Sequence, residues 1–291
     1  MHYKFHKVYI EITNICGLSC SFCPSKNILS KTMSLEFFEK VVKDVSLYTK
    51  DIALHMFGDP LTLSNLSDYL DIAYRYNLKV HITTTGYHLK NFLPEVFLHK
   101  AIKQINFSLN SFNKNNMNLT LKEYMGYMFK LCDLKLATKK EFFINFRLWN
   151  LDNNNSEKEF NQNVYKLLEQ HFKVKLHNTP KQKDSIRLAS KILLHFDSYF
   201  RWPTLEDSQI THNYCHGLTS QIGILANGTV VPCCLDSFGV IDLGNLHKNS
   251  LKDILYSQKA LNIVKNFQNN IAIEPLCQKC RYKDRFHTKS H

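Results

Sequence analysis

The 291-residue sequence has no apolar run approaching the ~18 residues a membrane-spanning helix needs. Its first residues, MHYKFHKVYIEITN, lack the apolar core of a secretory signal. Acidic residues are short: 25 Asp and Glu stand against 37 Lys and Arg, a formal charge of +12. The basic residues are scattered, with mild clusters at residues 181–187 and from Arg281 to Lys289. Neither an arginine-rich stretch nor a stacking-aromatic motif accompanies them, so a nucleic-acid-binding iron–sulfur or zinc protein has only the net charge in its favour. There is no internal repeat. With 44% hydrophobic and 21% charged residues, the composition excludes a disordered chain. These absences describe a cytoplasmic protein, in which clustered cysteines hold metal more readily than they form disulfides.

What is present is nine unevenly placed cysteines. Cys16, Cys20 and Cys23 fall near the N-terminus, Cys132 stands alone, and Cys215, Cys233, Cys234, Cys277 and Cys280 fall late. Between the two groups, short β-rich runs alternate with amphipathic stretches. Val8–Thr13, Ile52–Phe57, Lys79–Thr85, Gln104–Leu109, Phe142–Trp149 and Val174–His177 read as strands. Leu35–Tyr48 (capped by Ser34), Leu66–Tyr76, Leu93–Lys100, Leu121–Leu136 and Glu157–Phe172 read as helices. Parallel strands need crossovers, so this rhythm predicts an α/β fold, a partial (βα)6 TIM-like barrel over residues 1–178. Active sites of such barrels sit at the C-terminal strand ends, where the first cysteine loop follows strand one.

The rhythm stops near residue 178, and residues 179–212 read as a connector. Residues 213–281 read as a small α+β unit. It has an Asn227-Gly228 hairpin of the type I′ kind between Ile222–Ala226 and Thr229–Pro232, then a helix over Leu251–Phe267 started by Ser250 and Asp253. Residues 282–291 read as a basic tail. The Asn-rich patches at 113–118 and 153–155 read as solvated loops, and Cys132 as a core residue.

Three cysteines spaced C-x3-C-x2-C leave one position of a four-ligand site unfilled. An iron–sulfur cube held by three thiolates keeps one iron open, whereas structural zinc takes a closed set of four. The string CGLSCSFC, carrying Cys16, Cys20 and Cys23, resembles the motif of radical S-adenosylmethionine (SAM) enzymes. In that family the open iron of a 4Fe-4S cluster chelates the methionine moiety of S-adenosyl-L-methionine. An electron then cleaves the sulfonium to methionine and a 5′-deoxyadenosyl radical. The resemblance implies cofactor-binding roles for five further residues. Gly58 and Asp59 stand where the family usually has Gly-Gly-Glu-Pro, whose carboxylate accepts from the methionine amino group. Thr84 lies in a region near the nucleoside, and Ser108 and Asn110 near the ribose and methionine carboxylate. Arg147 lies in the apolar run FFINFRLW, where an unpaired guanidinium is costly, so it is the candidate catalytic residue, holding a carboxylate of cofactor or substrate or pairing between barrel layers.

Cys215, Cys233, Cys277 and Cys280 supply four thiolates, a complete set for one cluster. The strings NGTVVPCC, LGNL, NSLKDIL and PLCQKC resemble the SPASM and Twitch modules of radical enzymes. With cysteines for only one auxiliary 4Fe-4S cluster, the unit matches the shorter Twitch type, similar to the aminocyclitol dehydrogenases of 2-deoxystreptamine biosynthesis. A zinc ribbon on the same four cysteines is the plainer alternative. Adjacent cysteines on a strand face opposite ways, so one of Cys233 and Cys234 is a ligand; spacing favours Cys233.

A closed four-thiolate cluster suits electron transfer. The resemblance therefore implies a radical SAM oxidoreductase that removes hydrogen from a polar small molecule, such as a sugar or cyclitol, and passes an electron to the auxiliary cluster. A one-electron donor such as flavodoxin or ferredoxin would be its partner. The alternative is a SPASM-type maturase acting on a peptide or protein. Many of those carry an N-terminal recognition domain, and only Met1 to Lys7 precede strand one here.

Overall fold

The computed structural model of the chain describes residues 3–24, 28–150, 157–176, 185–210 and 214–286. Among these, nine strands share one sheet: β1 (Lys7–Ile10), β2 (Asp51–Ala53), β3 (Lys79–Thr84), β4 (Ile102–Ser108), β5 (Phe143–Leu148), β6 (Ser185–Ala189), β7 (Ile192–Phe196), β8 (Gln221–Ile224) and β9 (Val230–Val231). Their order is β6-β7-β5-β4-β3-β2-β1-β8-β9. β1 to β5, β7 and β8 run parallel to their neighbours, and β6 and β9 are antiparallel edges. Helices α1 (Leu35–Val45), α2 (Leu66–Arg75), α3 (Asn110–Asn113), α4 (Leu121–Ala137) and α5 (Lys158–Phe172) lie on the crossovers. Helices α6 (Leu251–Leu255), α7 (Gln258–Gln268) and α8 (Pro275–Lys279) follow the last strand. None of the helices of the described residues is long and apolar enough to cross a membrane.

The two-residue period of the strands sorts the side chains. On β5, Ile144, Phe146 and Leu148 are fully buried in the main core. Asn145 and Arg147, between them, turn to the other face. There Asn145 Nδ2 donates to Asn106 Oδ1 of β4 (3.0 Å), and Gln104 Nε2 donates to the same oxygen (2.7 Å). The inner face of the sheet is therefore polar and the helix side apolar. Helix starts follow their caps: Ser34 Oγ accepts from Phe37 N (3.2 Å), and Thr120 with Glu123 closes a capping box at α4.

Several expected elements differ. The sixth parallel strand is β7, inside the stretch read as a connector; Val174 to Leu176 are irregular, and His177 lies outside the described residues. The β6–β7 turn is Ser190-Lys191, where Lys191 takes φ +54° with neither Gly nor Asn to announce it. Leu93–Lys100 shortens to a 3₁₀ turn at Pro94–Leu98. The expected helix Leu251–Phe267 breaks after Leu255, because Ser257 Oγ accepts from Ala260 N (3.3 Å) and starts a second helix. The Asn227-Gly228 turn is not type I′, which needs two positive φ angles. Only Gly228 has one (+85°), and its N–H donates to Leu225 O (2.8 Å) before Leu225 N meets Thr229 O (2.9 Å). This is a type I turn closed by a glycine bulge.

Candidate active site

The loop after β1 carries the first three cysteines. Cys16 and Cys20 are buried and Cys23 half-buried, packed with Leu18, Phe22, Tyr87 and Met117 apart from the main core. Asn115 fastens this loop. Its Oδ1 accepts from Ser19 N (2.9 Å), and its Nδ2 donates to Cys20 Sγ (3.1 Å) and Ser111 O (2.8 Å). His88 Nε2 lies 3.1 Å from Cys16 O on the other side. Asn115 belongs to a patch that reads as a solvated loop, so its role is invisible in the sequence.

The segment after β2 docks on the root of that loop. A Cβ on Gly58 would stand 2.1 Å from Thr13 O, so only glycine permits the approach, and Asp59 N donates to Ile15 O (2.9 Å). Asp59 is 2% exposed. Its Oδ1 accepts from Leu61 N (3.0 Å), and its Oδ2 accepts from Thr84 Oγ1 (2.9 Å), Thr85 N (2.8 Å) and Thr85 Oγ1 (2.8 Å). Three of these donors crowd Oδ2 and one meets Oδ1. The short aspartate side chain thereby also braces two strand ends, while lining the cavity where the resemblance places an acceptor for the methionine amino group. The Thr84 hydroxyl also accepts from Gly86 N (2.9 Å), and Asn110 Oδ1 accepts from Trp149 N (3.2 Å). Glu11 is a second brace the sequence did not mark. It is 3% exposed and accepts from Phe57 N (3.1 Å) and Ala226 N (3.2 Å), tying the barrel to the β8–β9 hairpin. Burial raises its carboxyl above the usual range against those hydrogen bonds.

A cavity of about 410 Å³ opens from the cysteine loop. Cys16, Cys20, Cys23, Gly58, Asp59, Thr84, Ser108, Asn110 and Arg147 all line it. So do groups from the stretches read as connector and tail: Tyr199, Phe200, Trp202 and Tyr282. Arg285 joins those two stretches, its guanidinium 2.8 Å from Asp197 Oδ2 and donating to Ser198 O (2.8 Å) and Tyr199 O (3.0 Å). Arg147 sits 4.7 Å above the Trp149 ring, and among the described residues no carboxylate lies within ion-pair distance of it. Burial lowers its guanidinium to about 10. Burial, with Arg147 and Lys7 nearby, pushes His55 down to about 3.

The second cysteine group gathers from separate elements: Cys215 before β8, Cys233 after β9, Cys277 in α8 and Cys280 at its end. Burial lifts the Cys233 thiol, and the neighbouring thiols of Cys234, Cys215, Cys277 and Cys280 lift it further. Burial likewise raises Cys215, Cys277 and Cys280, the last to about 11. Lys283, 1% exposed, opposes three of these four thiols with its positive charge. The tail is thus built into the site up to residue 286. Cys234 faces the cavity instead, hydrogen-bonded to the Tyr9 side chain. Among the described residues no three His, Cys, Asp or Glu side chains converge closely enough for one metal ion. Four thiols are a complete set for one iron–sulfur cluster and equally for one structural zinc.

The family described as the radical SAM superfamily matches residues 10–131, and the SPASM iron–sulfur cluster-binding domain matches residues 215–281. Many solved structures share the fold, among them the following three. BtrN in complex with AdoMet and 2-DOIA is 16% identical, with 97% of this chain and 94% of that chain covered and a TM-score of 0.59. The anSMEcpe structure with bound AdoMet is 15% identical (99% and 88% covered, TM-score 0.59). Streptococcus suis SuiB bound to precursor peptide SuiA is 15% identical (100% and 74% covered, TM-score 0.60). No curated protein matches the chain. The chain belongs to the radical SAM superfamily. Within it, this is a radical SAM enzyme with a SPASM domain, and SAM, a 4Fe-4S cluster and auxiliary iron–sulfur binding go with those two domains. The residues present fit these groups: three thiols on a cavity wall leave a side open for SAM, and a half-buried set of four carries its own compensating lysine.

Proposed function

We propose that the enzyme is an oxidoreductase acting on a polar small molecule. Cys16, Cys20 and Cys23 would hold the SAM-binding cluster, and Cys215, Cys233, Cys277 and Cys280 the auxiliary one. When bound, these groups and SAM supply hydrogen abstraction and a one-electron sink. The observation that carries the reading is that one cavity is lined both by the cysteine triad and by Cys234, the neighbour of Cys233. A molecule seated there lies between the two centres. The chain's own part is to bind, orient and keep the chamber dry. Phe57 stands against Trp202 and Phe238 (6.4 and 5.8 Å between ring centres), and Phe200 against Trp202 and Tyr282 (5.8 and 5.1 Å), forming an aromatic wall. Arg285 holds one side of that wall by clamping residues 197–199. Gly58, Thr84, Ser108 and Asn110 line the SAM side, and Asp59 positions Thr84 and Thr85 there. A flavodoxin or ferredoxin would supply the priming electron.

The test is deuterium transfer from a substrate labelled at the carbon to be oxidised. Label should appear in 5′-deoxyadenosine, with one oxidised product formed per labelled nucleoside. Label transferred only from peptide substrates would replace this reading with the maturase one.

A further inference from the structure

The deeper part of the chamber, toward the start of β1, has no role in this account. Lys7, Tyr9, His55, His81 and Arg147 line it. Its charges do not balance. Arg147 stacks on Trp149 and has no carboxylate partner among the described residues, and the nearest acid whose charge it senses, Asp197, is held by Arg285 at 2.8 Å. Of the lining residues only Asp59 is acidic, and protein donors occupy it. Asp51, which pairs with His81, is taken by that Nε2 (2.7 Å) and by Lys103 Nζ (2.6 Å). The cations are close enough to lower one another: Lys7 is shifted down by burial and then by Arg147.

We propose that the substrate carries an anionic oxoacid group, a carboxylate or a phosphate, seated on Arg147 and Lys7. A planar guanidinium presents parallel donors to such a group, and Lys7 adds a point charge. The proposal rests on reading this chamber as the substrate site. It also gives part of the +12 net charge a location.

Labelling of Arg147 by phenylglyoxal, read by peptide mass spectrometry on anaerobically reconstituted enzyme, tests it without a known substrate. Arg147 should be labelled in the SAM-loaded enzyme. Inorganic phosphate or acetate at about ten times its dissociation constant should slow labelling about tenfold, and glycerol should not. Protection by phosphate alone assigns a phosphoryl substrate, and protection by acetate alone a carboxylate one. Protection by SAM alone would give Arg147 to the cofactor's own carboxylate and overturn the proposal, as would no labelling or no protection by either anion. In parallel, Arg147→Gln should retain wild-type iron while phosphate no longer raises its Tm; an unchanged phosphate effect also overturns it. These readouts measure occupancy and not turnover, so failed deuterium transfer with intact protection would discard the oxidation and keep the anion site.

Discussion

Cys16, Cys20 and Cys23 hang on a single loop after β1, whereas Cys215, Cys233, Cys277 and Cys280 come from a loop, a hairpin end and a short helix up to 65 residues apart in sequence. The first group needs only a strand end to present it, and its loop is pinned from outside by Asn115 and His88. The second exists only once β8–β9 and α8 have packed, half-buried, with the buried Lys283 as its counter-charge. A local set keeps one side free for a ligand. A dispersed set of four surrounds what it holds, which suits transfer of electrons more than binding of substrate.

The largest test of this contrast removes the local group. With Cys16, Cys20 and Cys23 all replaced by alanine, SAM cleavage should vanish while iron falls from about eight to about four per chain, measured anaerobically with sulfide. Retained cleavage would break the comparison at its root. Next, Cys233→Ala should cost the auxiliary iron and lower the Tm, because cluster binding and packing of this unit are coupled, whereas Cys234→Ala should keep the iron. The reverse result would mean that Cys234 is the ligand. Lys283→Met should then make the auxiliary midpoint potential more negative, on the order of 60 mV or a tenfold change in the one-electron equilibrium, since a buried positive charge favours the reduced form. Lys283→Arg should restore it in an EPR-monitored redox titration. The most localised effect belongs to Asn115→Ala. It removes a donor to Cys20 Sγ and should shift only the N-terminal cluster's EPR signal and weaken its retention of iron, within the range of ten- to hundredfold seen for outer hydrogen bonds to metal ligands.

Much of the barrel was legible because strand and helix periods differ. The β5 alternation, with Ile144, Phe146 and Leu148 outward and Arg147 inward, can be read from FFINFRLW alone. The sixth strand was not, because its hairpin turns on Ser190-Lys191, with no Gly or Asn at the positive-φ position. Arg147 was legible as a charge in an apolar strand, but its lack of a carboxylate partner was not. For Asp59 the motif predicts a ligand for the cofactor, and only the geometry adds its brace to Leu61, Thr84 and Thr85. The aromatic wall from Tyr199, Phe200, Trp202 and Tyr282 lies in stretches with no period or motif, and only packing shows that they meet.

The sequence by itself determined the chemistry on offer. Cysteine spacing is local, and three thiols within eight residues can close on one centre in almost any loop that follows a strand. The tertiary structure alone decided which of two adjacent cysteines joins the distant thiols and which faces the cavity. It also decided that a nominal tail supplies both a buried lysine and a cavity wall, and that a cationic floor lies beneath the triad. Those outcomes depend on which faces meet across the sheet, and side-chain direction there follows from register and packing between segments far apart in the chain.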